Sequence, residues 1–261
     1  MHKVLHIKYT NNVLNKFVNI DDKSKKQIRI GCVANDLCEF TQEYSDIVMR
    51  FDLLLKSNRS NFLFDSSPIY ESLAIYQSHY GKLSALHSMA QTRDIPAKST
   101  RKDILKLLAF LEHIVLNGDT EMLLKSIDKF EDILGSQIQD VTFKVYKLLD
   151  TKNIFKAKHR AIGMILHIIE DSYTKSHCRR VRGLIKTFYY YKDQSNHSDF
   201  DVVQNKNEDV MKRYLKAVLK KLLKNKSAKL EYKDIFRLSA SATPSFGGDL
   251  KDTYGDFLDL F

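Results

Sequence analysis

Tryptophan is absent from this chain of 261 residues, and glycine, proline and cysteine are scarce, with 9, 3 and 3 residues respectively. So few glycines and prolines leave little turn punctuation, which favours helices over the many short strands of a β-sandwich. The cysteines, Cys32, Cys38 and Cys178, are odd in number and have no CxxC spacing. They argue against a disulfide framework and a thiolate zinc knuckle, and they fit a reducing compartment.

Long apolar runs are also missing from the chain. No stretch of about 18 apolar residues exists, so no transmembrane helix is expected. Residues 1–26 lack the apolar block and the small-residue cleavage site of a secretory signal. We therefore expect a cytoplasmic protein, or one that is exported by a leaderless route, or a chain from which a leader has been removed.

Apolar residues recur at helical spacing along most of the chain, which predicts an all-α bundle. The predicted helices cover residues 37–57, 67–90, 100–117, 120–134, 137–150 and 157–177. Only two segments, residues 3–9 and 26–33, are candidates for short extended structure. The hydrophobic content of 43% is ample for a core, and one helical domain is expected over residues 1–238.

Five side chains that commonly bind metals lie in two clusters, His167, Asp171 and His177, and then His197 and Asp201. The His and Asp of each four-residue pair project from one face of a helix, where they form a two-ligand clamp. On a continuous helix the next ligand, His177, would be rotated by roughly 120° and raised by about 9 Å, too far to share an ion easily. Because a catalytic zinc takes about three protein ligands, the set predicts more than one ion.

The spacing His167-x3-Asp171-x5-His177, followed by another His-x3-Asp pair, resembles the zinc-dependent phospholipase C family and the related fungal zinc-dependent nucleases. The resemblance covers roughly residues 80–205. It implies a helical bundle of the phospholipase C type that holds two or three zinc ions and hydrolyses a phosphodiester with a metal-activated water.

The resemblance also implies a role for each matching residue. Asp171 would bridge one pair of ions that His167 also serves. The segment LSALHSMAQTRDIP resembles the one that supplies another histidine to the first ion, and His87 is the matching position. A separate ion would be held by His177, His197 and Asp201.

The chain departs from the family at two points. Secreted members use the amine of an amino-terminal Trp as a ligand, and this chain has no Trp. Candidates for the missing ligand are Asp36, His2 and His6, of which Asp36 is preferred because its neighbours indicate a turn that leads into a helix. Alternatively, Asp36 only caps that helix. In the second cluster the chain has Asp201, as the nucleases do, where the phospholipases generally have Glu.

A carboxylate outside the metal ligands is expected to orient or deprotonate the attacking water. Asp65 is the preferred catalytic residue, and Glu71 is the next choice. The alternative role of Asp65 is to cap the helix that begins near Pro68. His159 is either a partner of the ligands or a surface residue.

Much of the net charge of +10 lies in residues 212–229, where basic residues accompany an apolar stripe of Leu215, Val218, Leu219, Leu222 and Leu223. Such a helix suits an anionic phospholipid membrane surface, and it equally suits nucleic-acid phosphates. Alternatively, the stripe packs into the bundle and the lysines only solubilise it. The composition shifts after Leu238, so residues 239–261 are expected to form a flexible tail.

Three hypotheses of function remain. The leading one is a phospholipase C-like enzyme that cleaves phospholipid head groups with zinc. The second is a zinc-dependent single-strand nuclease, which the charge and Asp201 favour. The third is a non-catalytic secreted effector with a structural zinc site. The carboxylate-rich ligand set, which contains no cysteine, favours catalysis over a structural role.

Overall fold

The computed structural model describes residues 3–37, 84–118, 149, 153–190, 202–203 and 205–245. Its α-helices are α1 (Lys3–Leu14), α2 (Asp22–Leu37), α3 (Ala97–Asn117), α4 (Ile154–Asp171), α5 (Asn205–Leu223) and α6 (Lys229–Ile235). A 3₁₀ turn covers Ser84–His87, and the strands are β1 (Cys178–Val181) and β2 (Leu184–Phe188). Among these helices, none is long and apolar enough to cross a membrane.

Helix α4 lies at the centre of the fold. Every residue from Ala161 to Asp171 is buried, and the helix packs against α2 and α3 and also touches α1 and α5. Asn153 caps its start, because its side-chain oxygen accepts a hydrogen bond from the amide of Lys156 at 3.1 Å. A helix that is enclosed on all sides is expected to be apolar throughout, so the polar residues near its carboxyl end require an explanation.

After α4 the chain forms a β-hairpin that the apolar spacing did not predict. Arg182 and Gly183 make its two-residue loop with φ angles of 50° and 79°, the positive values that a type I′ turn requires. The ladder pairs Val181 with Leu184 next to this loop. The prediction of an all-α bundle is confirmed only in its coarser form, because the described residues are mostly helical but also form this small antiparallel sheet.

Several predicted boundaries differ from the observed ones. Residues 3–9 and 26–33 are helical, because Tyr9 and Val13 in α1 are buried one turn apart, as are Ile28 and Cys32 in α2. The helix predicted over residues 157–177 ends at Asp171. Residues 84–90, the described part of the helix predicted over 67–90, form the 3₁₀ turn and its exit. Helix α3 confirms the helix predicted over 100–117. The helix over 120–134 and nearly all of those over 37–57 and 137–150 lie outside the described residues.

Helix α5 carries the basic amphipathic pattern, and its apolar stripe faces the core. Four residues of the stripe are at most 1% exposed: Leu215, Val218, Leu219 and Leu222. The stripe is therefore core, as in the alternative that the sequence left open, and it does not offer an apolar surface for insertion into a membrane. Two of its lysines, Lys216 and Lys220, are exposed on the opposite face, and Lys224, which directly follows the helix at the same four-residue spacing, is exposed as well.

Residues 239–245, the first part of the expected tail, lie along the hairpin. The amide of Ser239 donates to the carbonyl of Ile185 at 2.8 Å, and the amide of Ser245 donates to the carbonyl of Ile95 at 2.7 Å. The structure thus ties this stretch to β2 and to the segment before α3. Residues 246–261 lie outside the described residues.

Candidate metal centre

Four histidines surround the carboxylate of Asp171 at the carboxyl end of α4. Nε2 of His167 lies 2.9 Å from Oδ2, and Nδ1 of His87 lies 3.0 Å from the same oxygen. Nε2 of His6 and Nδ1 of His177 each lie 3.2 Å from Oδ1. Each carboxylate oxygen therefore faces two imidazole nitrogens, an arrangement in which one carboxylate can bridge two cations.

The cluster around Asp171 is shielded from water, since His167 and Asp171 are 0% exposed and His87 and His177 are 2% exposed. Burial acts to raise the pKa of the Asp171 carboxyl, but the positive charges of His177, His167 and His6 outweigh it and hold that pKa well below its ordinary value. A carboxylate that stays ionised in the core requires positive charge beside it. Protonated histidines supply such charge, and a bound metal ion would supply it as well.

The backbone of α2 fixes the orientation of His167. Nδ1 of His167 lies 2.7 Å from the carbonyl oxygen of Cys32, to which it donates a hydrogen bond. With a metal ion bound, the imidazole would be neutral, with its hydrogen on Nδ1 and its lone pair on Nε2, the atom that faces Asp171. Metal-binding histidines are commonly oriented in this way by a carbonyl or a carboxylate.

The side chain of Glu170 holds His6 in a matching orientation. The His6 ring stacks on His167 with centroids 3.8 Å apart, and its Nδ1 lies 2.6 Å from Oε2 of Glu170. Thr10, one turn further along α1, donates to Oε1 of Glu170 at 3.0 Å. Burial raises the pKa of the Glu170 carboxyl, although the hydrogen bonds from His6 and Thr10 act in the opposite direction.

His87 reaches the cluster from the 3₁₀ turn. The Nδ2 atom of Asn35 donates to the carbonyl of Leu86 at 3.0 Å, and the hydroxyl of Ser88 donates to the carbonyl of Ile168 at 2.6 Å. Ser88 has a φ of 53°, in the left-handed region that residues other than glycine rarely adopt. The hydrogen bonds on both sides of His87 hold the turn against α2 and α4.

His177 belongs to the cluster because α4 ends at Asp171. The amide of Thr174 donates to the carbonyl of Asp171 at 2.9 Å, and the amide of His177 donates to the carbonyl of Thr174 at 3.2 Å. These turns reverse the chain and bring His177 back beside Asp171. The prediction of a continuous helix to His177 is therefore wrong. His197 and Asp201, which were expected to join it, lie outside the described residues.

Arg180 of β1 fastens this turn to the rest of the fold. Its Nε donates to the carbonyl of Ser172 at 2.7 Å, and its Nη2 donates to the carbonyl of Ile235 at 2.9 Å. The guanidinium also lies over the ring of Tyr173, 4.0 Å from its centroid. The end of α4, the hairpin and α6 are thereby held together next to His177.

The sequence predicted four of the candidate metal ligands that the structure brings together: His87, His167, Asp171 and His177. It ranked His6 below Asp36, yet His6 faces Asp171 in the structure. Asp36 lies in α2, and its side chain is outside the described residues, as are the preferred catalytic residue Asp65 and the candidate ligand His2.

Glu170 and Thr10 were missed altogether, and Cys32 was considered only as a possible disulfide or zinc-knuckle residue. One local signal was present, because His6 and Thr10 are four residues apart on one face of a helix that also buries Tyr9. Their common partner is about 160 residues further along the chain, and a spacing rule cannot connect residues so far apart.

A second group of potential ligands adjoins the first. His6, Cys32 and His167 each offer an atom, and these atoms lie within 4.8 Å of one another, as do those of His87, His167 and Asp171. Nitrogen, carboxylate and thiol donors are the ligand types found at zinc sites. These two buried groups can therefore hold a metal ion.

We compared the chain with known proteins in three ways. Neither protein-family models, nor curated proteins, nor solved structures give a match. The chemistry of this centre must therefore be inferred from its own donors and from their geometry.

Proposed function

We propose that this chain is a zinc-dependent phosphodiesterase of the phospholipase C type that hydrolyses phospholipid head-group phosphodiesters. One observation carries the proposal. The two oxygens of the Asp171 carboxylate each face two imidazole nitrogens, at distances of 2.9–3.2 Å. Pairs of metal ions held close together are typical of phosphatases, nucleases and other hydrolases.

The donor set favours zinc over the common alkaline-earth ions. Calcium and magnesium prefer oxygen ligands, whereas four imidazoles supply nitrogen here. Zinc accepts imidazole nitrogen and carboxylate oxygen together. His87 and His167 would hold one ion with Oδ2 of Asp171, which is one of the two buried groups described above. His6 and His177, which both face Oδ1, are the proposed ligands of the other ion.

Zinc held by these donors would polarise phosphoryl oxygens and would lower the pKa of a bound water to about 7. The protein contributes a fixed frame, because His167 and His6 are each oriented by a second hydrogen bond. An enclosed site would also strengthen the electrostatic interactions with a bound phosphate, since water would not screen them. Asp65 remains the residue predicted to orient or deprotonate the water.

The exposed face of α5 supports a lipid surface as the place of action. Lys216 and Lys220 are exposed on it and Lys224 is exposed directly after it, and each basic residue near an anionic membrane contributes on the order of 1 kcal/mol. Because the apolar stripe is buried, attachment would be electrostatic and would weaken with salt. The resemblance of residues 80–205 to phospholipases C points to the same substrate class.

A nuclease is the second candidate, and the net charge of +10 favours it, since phosphate backbones attract basic surfaces. A structural zinc centre in a non-catalytic effector is the third. The burial of His167 and Asp171, both 0% exposed, favours that role, because a structural ion needs no open position for water or substrate.

Parallel assays separate these three functions. Protein loaded with zinc is tested on phosphatidylcholine vesicles that also contain an anionic phospholipid, on single-stranded DNA and on bis-p-nitrophenyl phosphate as a small phosphodiester. We expect release of the phospholipid head group. Cleavage of DNA without cleavage of lipid would establish the nuclease, and bound zinc without hydrolysis of any of the three substrates would indicate the structural role.

A further inference from the structure

Glu170 is a fully buried carboxylate beside the cluster of histidines around Asp171. Its Oε1 accepts a hydrogen bond from Thr10 at 3.0 Å. Its Oε2 lies 2.6 Å from Nδ1 of His6 and 3.7 Å from Sγ of Cys32. Both oxygens are thus occupied by donors from α1 and α2, on the side of His6 that faces away from Asp171.

A carboxylate in this position is unfavourable for simple packing. Transfer of a charged or polar group into the core is costly unless hydrogen bonds replace the lost water. An apolar side chain of similar size would fill the same space without that cost. The three donors around Glu170 therefore indicate a function for the carboxylate itself.

That function follows from the two nitrogens of the His6 ring. A neutral imidazole carries one hydrogen, and only the other nitrogen has a lone pair for a metal ion. With the hydrogen on Nδ1, His6 donates to Glu170 at 2.6 Å and its Nε2 lone pair faces Asp171 at 3.2 Å. With the hydrogen on Nε2, the lone pair would point away from Asp171 instead.

His167 provides an internal comparison. Its Nδ1 donates to the backbone carbonyl of Cys32, which no substitution can delete, whereas the corresponding acceptor for His6 is a side chain. The two stacked rings are therefore oriented by the same type of hydrogen bond, which a backbone carbonyl accepts from His167 and a side chain accepts from His6. Only the acceptor of the hydrogen bond from His6 can be removed by a substitution.

We propose that Glu170, supported by Thr10, is a positioning residue that fixes His6 with Nε2 directed at Oδ1 of Asp171 for the second metal ion. This inference rests on the metal centre of the proposed function. Loss of an acceptor behind a metal-binding histidine lowers metal affinity by roughly 10- to 100-fold. In the Glu170 variants, the loss of metal affinity should be confined to the ion that His6 binds.

The test compares Glu170→Ala and Glu170→Gln with the wild type by Zn²⁺ content and by Co²⁺ titration followed by visible absorption. We expect two Co²⁺ ions per wild-type chain, and for Glu170→Ala one tight ion and a second ion bound roughly 10- to 100-fold more weakly. Glu170→Gln should lose less, because its amide oxygen can still accept the hydrogen bond from His6.

A matched control is the variant Glu112→Gln. Glu112 is also buried, and it accepts hydrogen bonds from Ser227 and from the amide of Ala228 at 2.7 and 2.8 Å. Neither hydrogen bond involves a residue of the metal centre, so Glu112→Gln should leave both Co²⁺ affinities unchanged. If Glu170→Ala does not fold, Thr10→Val applies the same test more mildly, with a smaller weakening of the same ion.

Two results would overturn the role of Glu170. If the wild type binds two ions and neither Glu170→Ala nor Thr10→Val changes their affinity or spectrum, Glu170 does not position His6. If instead Cys32→Ser loses an ion and wild-type Co²⁺ protein shows thiolate charge-transfer absorption, Cys32 and its neighbours bind metal directly. A wild-type chain that binds no metal would defeat the proposed function itself, which is a different outcome.

Discussion

Gly163 of α4 lies against Gly31 of α2 where the two helices meet. A Cβ atom on Gly163 would lie 2.7 Å from the carbonyl carbon of Gly31 and 2.0 Å from the carbonyl oxygen of Ile28. A Cβ atom on Gly31 would lie 2.0 Å from the carbonyl oxygen of Arg160. The two backbones are therefore in direct contact, and this contact sets the distance between α2 and the helix that carries His167 and Asp171.

Gly163→Ala should destabilise the protein strongly, because its methyl group would clash with backbone that has no rotamer to change. Overpacking in a core costs about 1–3 kcal/mol or more, and the 2.0 Å approach places this variant at the upper end. Chemical denaturation measures the loss. Gly183→Ala is the control, since nothing lies within 4 Å of its Cβ and only its φ of 79° opposes the substitution. An equal loss in the two variants would contradict the close-contact explanation.

The residue that caps α2 should contribute to the free energy of unfolding by an amount that depends on pH. Asp21 accepts hydrogen bonds from the amide and the hydroxyl of Ser24 at 2.8 and 2.7 Å, and these bonds lower its pKa below the ordinary value of 3.8. A group with a lowered pKa in the folded state contributes stability above its unfolded pKa, and it loses the contribution as the pH falls through the folded pKa.

Asp21→Ala should therefore be less stable than the wild type at pH 7, and the difference should shrink below about pH 4. Urea denaturation of both proteins across this range gives the difference at each pH. Asp22→Asn is the control, because the side chain of Asp22 is exposed and its pair with Lys25 is loose at 3.9 Å. A difference for Asp21→Ala that does not change with pH would show that the carboxylate is not the cap.

The sequence predicted the part of the site that local spacing can encode. His167 and Asp171 are one helical turn apart, so the pattern alone placed them on one face, and a family resemblance added His87. The position of His177 was predicted wrongly because nothing in the apolar pattern marks the end of α4. The sequence did not connect His6 with Glu170, because their contact spans 164 residues and depends on how α1 packs.

The hairpin was missed for a different reason. Arg-Gly is a less familiar type I′ loop than Asn-Gly, although Gly183 meets the same need for a positive φ. The apolar stripe of α5 was visible in the sequence, but its direction was not, since a stripe that faces a membrane and one that faces a core have the same periodicity.

His177→Ala should remove one metal ion while the helical content remains. His177 faces Oδ1 of Asp171 from a turn that Arg180 and the hairpin hold in place, so the fold does not depend on its ring. Elemental analysis and circular dichroism measure the two properties. His159→Ala is the control, because His159 bonds to the carbonyl of Phe155 on its own helix. Unchanged metal content in His177→Ala would remove it from the ligand set.

The basic face of α5 should bind anionic vesicles through its exposed lysines. Replacing Lys216, Lys220 and Lys224 with Gln should weaken vesicle binding, by on the order of 1 kcal/mol for each lysine at low salt. Lys221 is left in place because it pairs with Glu231 at 2.7 Å. Vesicle co-sedimentation at two salt concentrations measures the effect.

The control for the lysine variant removes three other lysines at the same spacing, Lys98, Lys102 and Lys106 of α3. It changes the net charge by the same amount, so it should weaken binding less. Equal weakening would indicate a general effect of charge and would refute a specific docking face on α5.

The metal content of the purified protein decides whether Asp171 joins two ions. Elemental analysis of wild-type chain that has never met a chelator should find at least two zinc ions per chain, because the oxygens of Asp171 face two pairs of histidines. Asp171→Asn should hold less than one ion, since the bridging charge is lost, while Asp103→Asn, on the partly exposed face of α3, should keep both. One zinc or none in the wild type, or two in Asp171→Asn, would contradict a two-ion centre at Asp171.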